Sequence, residues 1–136
     1  MQIFKAMQIS SSGLTAERFR LDLIANNIAN AQSTRTVEGG PFRRRSAVFA
    51  EKIDAARRSR EGVRVVAVSE DQTPPRLVYE PGHPDANAAG YVAYPNVNVI
   101  QEMVDMITAT RAYEANVTSL NAAKSMFLKA LEIGRG

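Results

Sequence analysis

Few residues in this chain of 136 could do covalent or metal chemistry. His83 is the only histidine and there is no cysteine, so a zinc site, a thiol nucleophile and a disulfide framework are all without ligands. The setting Pro81-Gly82-His83-Pro84-Asp85 has the composition of a rigid turn, and no serine or cysteine nearby completes a triad with the imidazole. Gly39-Gly40 lacks the G-x-x-x-x-G-K-[ST] and G-x-G-x-x-G spacings of phosphate loops and reads as a turn. No cofactor is implied, and the methionines Met103, Met106 and Met126 read as adaptable packing residues. The chain is therefore not expected to be an enzyme.

Two groups are better suited to binding than to reaction. Arg43, Arg44 and Arg45, flanked by Phe42 and Phe49, have the make-up of a nucleic-acid contact. The competing reading is a charged strand edge that meets acidic groups, either of another subunit or of the chain itself. Charge distribution favours the second. Residues 35–64 carry nine basic against four acidic side chains, a net of +5, and residues 65–105 carry one against six, a net of −5. So matched an acidic block is not expected of a nucleic-acid module, which stays the alternative function. We expect Arg43, Arg44 and Arg45 to face acidic surface on a neighbouring subunit. Asn26, Asn27 and Asn30 form the second group. Their amides either terminate a helix or bond across a helix interface and fix its register.

The elements that carry these residues are two long amphipathic helices around a different middle. Met7, Leu14, Leu21 and Ile28 fall seven residues apart, which predicts a helix over about Ile3–Asn30. Gly13, after Ser10, Ser11 and Ser12, is a weak point in it. Val99, Met103, Met106, Thr110, Tyr113, Val117, Leu120, Lys124, Phe127 and Leu131 step by four and three, predicting a last helix over about Val99–Ile133 with Gly134 as its stop. A second, mostly small seam, Ala109, Ala112, Asn116, Ser119, Ala123, Met126, Ala130 and Ile133, runs beside it. About 33 residues at 1.5 Å each give a rod of roughly 50 Å, longer than the ~37 Å width of a compact globule of this chain length. Each stripe needs another helix to cover it. The expected fold is α+β: N- and C-terminal helices forming a coiled-coil layer (1–34 and 96–136) around a small β-rich middle domain (35–95). Subunit packing is expected to use Met7, Leu14, Leu21, Ile28, Asn27, Asn30, Met103, Met106, Tyr113, Val117, Leu120, Phe127 and Leu131. Leu21→Asp or Leu120→Asp should then block assembly and leave the middle folded.

Within the middle, Val63–Val68 is the best strand and Arg76–Tyr79 a second one. Phe42–Phe49 could be a strand edged with arginines, and Ala50–Arg58 could equally be one helical turn or two. No stretch approaches the ~20 apolar residues of a membrane span, and the N-terminus lacks the plan of a cleaved signal peptide.

Several motifs together resemble a known family. Ser12-Gly13-Leu14-Thr15-Ala16 followed by Leu21-Asp22-Leu23-Ile24-Ala25-Asn26-Asn27-Ile28-Ala29-Asn30 is similar to the N-terminal signature of bacterial flagellar rod and hook proteins. The segments Ser33–Thr36, Glu38–Arg44, Tyr79–Ala86 and Gly90–Asn98 resemble its short rod members, and Glu102–Ile107 with Thr110–Asn116 resembles the shared C-terminal helix. Residues 50–76 carry nothing distinctive, and Val99 stands where many of the family have proline. The resemblance implies a structural subunit of the proximal rod of the flagellar basal body. It implies export by the flagellar type III apparatus without a cleaved signal, and assembly in the periplasm. Terminal segments would order on assembly. The implied partners are further copies, other proximal and distal rod proteins and the adaptor at the membrane ring, with no nucleic acid.

Overall fold

A computed structural model describes residues 2–56 and 59–136. Arg57 and Arg58, which end the ambiguous segment from Ala50, lie outside the described residues. The chain begins with helix α1 (Gln2–Ala29) and ends with helix α2 (Val99–Gly134). Between them lie β1 (Arg45–Asp54), β2 (Ser59–Glu70), β3 (Arg76–Tyr79) and β4 (Tyr91–Tyr94). The fold is α+β, as the pattern of the sequence predicts.

The two helices pack antiparallel. Asn27 near the end of α1 meets Glu102 near the start of α2, and Phe4 at the other end meets Phe127, with ring centroids 5.1 Å apart. The buried line follows a seven-residue step: Glu102, Ala109 and Ala123 on α2 are buried, facing Ala16, Ile24 and Asn27 on α1. Small residues on this line let the helices approach closely. Gly13 explains itself here. A Cβ on it would stand 2.9 Å from the Asn116 side chain, so the apparent weak point of α1 is where α2 comes nearest.

α2 starts at Val99 because Asn98 caps it: its side-chain oxygen accepts the N–H groups of Ile100 and Gln101. The expected stop at Gly134 is displaced by one residue. Gly134 is the last helical residue, and Arg135 ends the helix in right-handed geometry, its N–H reaching Glu132 O. A left-handed glycine is not needed there.

β1 and β2 form an antiparallel hairpin with Arg45 opposite Glu70 and Asp54 opposite Ser59, interrupted by irregularities after Val48 and Glu51. The segment Ala50–Asp54 is thus strand, the cross-strand partners from Ser59 to Arg64 having drawn it out. The hairpin lies along α1. Ser12 Oγ accepts the Val63 N–H at 3.0 Å while donating to Ile9 O. Gly62, at φ +115°, permits that approach, since a Cβ there would sit 2.0 Å from Ser12 Oγ. β3 and β4 form a second, separate hairpin (Arg76 opposite Tyr94, Tyr79 opposite Tyr91) that buries Val92 completely. Strand β4 is not foreseen in the sequence.

Candidate functional site

The parts of the molecule meet at one polar junction. Glu102 is fully buried, at 0% exposure, one residue from the exposed Met103. Its Oε1 accepts from Arg44 Nε, and its Oε2 accepts from Asn27 Nδ2 at 3.1 Å. Asn27, 1% exposed, also donates to Arg45 O at 2.8 Å and accepts the Arg45 N–H at 2.9 Å, so its amide continues β1 as if it were backbone. Arg44 reaches Asp105 at 3.5 Å. Asn96 closes the other side: its Oδ1 accepts the Arg44 N–H at 2.9 Å, and its Nδ2 donates to the carbonyls of Asp71 and Thr73. One carboxylate thereby ties α1, the start of β1 and the first turns of α2. A buried carboxylate is tolerable only with such partners.

Within the chain the three arginines already have acidic or polar partners. Arg44 is committed to Glu102 and Asp105, Arg45 to Glu70 at 3.2 Å, and Arg43 donates to Gln72 at 3.0 Å, all within the chain. The acidic block that balances them in sequence folds back onto them, because β2 returns its end beside the start of β1 and the first turns of α2 meet Arg44, just before β1. Two of the three, Arg44 and Arg45, are thus paired with carboxylates of the same chain.

The asparagines divide their two readings. Asn27 crosses the helix interface, but inside the chain, and so offers nothing to a neighbour. Asn30 closes α1 locally, its Nδ2 donating to Asn26 O at 2.9 Å and its Oδ1 accepting from Ser33.

Met7, Leu14, Leu21 and Ile28 are half-buried along one flank of the α1 seam. Met106, Tyr113, Val117, Leu120 and Phe127 are half-buried on the facing flank of α2. Met103 and Leu131 are exposed. The face of α2 turned away from α1 keeps Ile100, Met103, Val104 and Ile107 at 76%, 53%, 51% and 57% exposure, followed at the far end by Leu128 and Leu131. These are i, i+3, i+4, i+7 positions, the pattern of a helix face awaiting cover.

His83 serves its turn. Its Nδ1 accepts the Asp85 N–H at 3.0 Å, and Asp85 in turn takes the Thr34 hydroxyl at 2.8 Å and the Arg35 guanidinium. The Thr34 hydrogen bond, then the Arg35 charge, hold the Asp85 carboxyl below its ordinary range against the opposing effect of desolvation. Among the described residues, no group of histidine, aspartate and glutamate could hold a metal ion. No described helix is long and apolar enough to cross a membrane.

Glu102, Asn96, Ser12 and Gly62 are the junction and docking residues that sequence reasoning misses. Glu102 lies seven residues before Ala109, on the line of the small seam, but its charge sets it apart from the apolar and small residues counted in that seam. The available signal is the seven-residue spacing Glu102, Ala109, Asn116, Ala123, together with the matched charge blocks.

The helix pair is also what known proteins share. Residues 7–35, within α1 and the turn after it, match the family described as flagella basal body rod protein. Residues 88–133, spanning β4 and nearly all of α2, match the family described as flagellar basal body rod FlgEFG protein C-terminal. Over the whole length, the chain is 44% identical to the flagellar basal-body rod protein FlgC of Borreliella burgdorferi, covering all of both chains. It is 41% identical to that of Bacillus subtilis and 46% to that of Escherichia coli O157:H7, each over 99% of this chain and 100% of the relative. The class is thus that of bacterial flagellar rod proteins, and within it the chain belongs to the FlgC family.

Proposed function

We propose that the chain is a structural subunit of the flagellar basal-body rod, in its proximal part, assembling axially by helix–helix packing and transmitting torque without catalysing a reaction. One observation carries this reading. After α1 has covered one side of α2, the opposite side still exposes Ile100, Met103, Val104 and Ile107 in helical register. Burying each such side chain contributes roughly 1.5–3 kcal/mol, so a neighbour that covers the four gains enough to order the contact. The helices, 1–34 and 96–136, form the assembly layer in this reading, and the middle, 35–95, spaces neighbouring subunits. Of the packing residues expected from the sequence, Met103 and Leu131 are the ones most available to another subunit. Neighbours are further copies, other proximal and distal rod proteins and the membrane-ring adaptor. The route is the flagellar type III apparatus into the periplasm, without a cleaved signal, and the absence of cysteine suits a chain threaded unfolded.

The test is a double substitution on the outer face, Val104→Asp with Ile107→Asp, expressed in place of the wild-type gene. Both positions are exposed, so the monomer should keep its helical circular dichroism while swimming and rod assembly are lost. Leu21 and Leu120 are less suitable because they are half-buried in the intrachain seam. Normal motility with the variant incorporated in rods would refute the packing scheme.

A further inference from the structure

The seam between α1 and α2 repeats every seven residues on both sides, and such a seam can slide. On α2 its central positions are Glu102, Ala109, Asn116 and Ala123; on α1 the same step carries the half-buried Gly13 and Arg20 and the buried Asn27, beside the half-buried flank Met7, Leu14, Leu21 and Ile28. Displacing one helix by a heptad, about 10 Å, sets most small and aliphatic side chains against equivalent ones. Apolar packing alone discriminates poorly between such registers.

Two contacts do not repeat. Asn27 bonds Glu102 at 3.1 Å, and Gly13 lies beneath Asn116, which a Cβ at residue 13 would meet at 2.9 Å. The partners stand fourteen residues apart on α1 and fourteen apart on α2, two heptads on each. They therefore specify one and the same register from two separated points. We infer that Asn27–Glu102 and Gly13–Asn116 are a two-point key that selects the register of the helix pair. They are specificity-determining residues for the pairing of α1 with α2, distinct from the residues that supply its apolar contacts.

Each slip breaks both points. Moved one way, Glu102 meets Arg20 but leaves Asn27 and Arg44, since Arg44 follows the backbone that Asn27 holds. Moved the other way, Glu102 passes the end of α1 at Ala29 and loses both partners. In either case Asn116 stands over Ala6 or Arg20, which carry the Cβ that Gly13 lacks. The use of a buried polar pair for register in place of stability has physical precedent. The key also fixes where the exposed cluster Ile100–Ile107 lies relative to the tip of α1. A subunit in the wrong register would offer a displaced face to its neighbours. The inference concerns pairing within one chain and stands independently of the rod reading.

The chain has no cysteine, so nitroxide labels at Arg18→Cys and Ser125→Cys, both exposed, are unique. The two labels are staggered along the pair, so a slip in either direction changes their separation. Double electron–electron resonance on the full chain should give one distance population in the parent. With Asn27→Leu, Glu102→Leu and Asn116→Ala added, a second population displaced by several ångströms should appear. Replacing both buried partners by apolar groups is ordinarily tolerated, so helical circular dichroism should persist. A single unchanged population in that variant overturns the inference, and so does loss of its helix. Independently, Gly13→Ala should shift or split the distribution, and Gly13→Ala with Asn116→Ala should restore it. An unshifted Gly13→Ala distribution overturns the second point of the key.

Discussion

Glu102 gains its importance from what surrounds it. A carboxylate with no exposure, accepting from an arginine and an amide, is costly to leave half-paired. Glu102→Ala leaves the Arg44 guanidinium with Asp105 alone and takes away one acceptor of the Asn27 amide. It is expected to lose about 1–3 kcal/mol in denaturant unfolding, a sizeable part of a typical domain's stability. Glu102→Gln keeps an acceptor and should lose clearly less. Equal midpoints for the parent and the alanine variant would contradict this account. Asp85 supplies a pH-dependent counterpart. Its folded pKa is lowered below the ordinary aspartate value, so its contribution is fully present above that value and fades as pH falls through the lowered one. The turn at residues 81–86 should therefore loosen only below about the ordinary carboxylate range. Asp85→Asn should abolish that dependence, as followed by the Thr34 and Asp85 amide resonances. At this scale the sequence is legible for types and charge balance but not for pairing. The +5 and −5 blocks announce that arginines and carboxylates meet. Whether they meet within the chain depends on where β2 returns, which no local pattern encodes. Asn27 is identical in kind to Asn26 and Asn30, and only the fold decides which amide turns inward.

Among the elements, the long helices are legible because their periodicity persists over many turns and survives local weak residues. The strands are less so. Val63–Val68 and Arg76–Tyr79 declare themselves by β-branched content. Tyr91–Tyr94 is four residues long and is strand chiefly because Arg76–Tyr79 pairs with it. Ser12-Gly13 is misread for a physical reason: propensity counts their cost to an isolated helix, while the structure uses Ser12 to hold one hairpin and Gly13 to admit α2. The spacing of those anchors is matched. From Asn27 to Ser12 along α1 is about 22 Å, and from Glu70, opposite Arg45, to Val63 along β2 is about 24 Å. The hairpin is thus pinned at both ends of a length that helix and strand share. Gly62 makes the far pin possible, so Gly62→Ala should be costly twice, through φ +115° and through collision with Ser12 Oγ. We expect a loss of more than about 1 kcal/mol and faster amide exchange at Val63–Val65. Ser12→Ala, which leaves the Val63 N–H to exposed solvent, should cost less. Unchanged exchange at Val63 in the glycine variant would show that the pin does not hold the hairpin.

For the whole molecule, burial is distributed unevenly along the helix pair. Ile24, Asn27, Ala31, Phe42 and Glu102 are buried toward the junction end, and Ala16 and Ala109 continue the line. Ala123 is the last fully buried residue of α2, and beyond it Leu128, Leu131 and Ile133 are exposed. α2 has 36 residues, about 54 Å of helix, against about 42 Å for the 28 of α1. Local stability follows local burial, because an opening that exposes little apolar surface costs little. The free subunit should therefore show a gradient in amide exchange. Protection should be highest around residues 20–30 and 100–112, and lowest at residues 2–10 and 126–134. On incorporation into a rod the weak ends should become protected, since a neighbour that covers Leu128 and Leu131 supplies the missing burial, and that gain offsets the entropy of ordering them. The experiment compares exchange in monomer and assembled rods by mass spectrometry. Uniform protection along both helices of the monomer would show that the pair is complete in itself. Ends that stay unprotected after assembly would show that the neighbour contacts lie elsewhere, on the outer face of α2 nearer the junction.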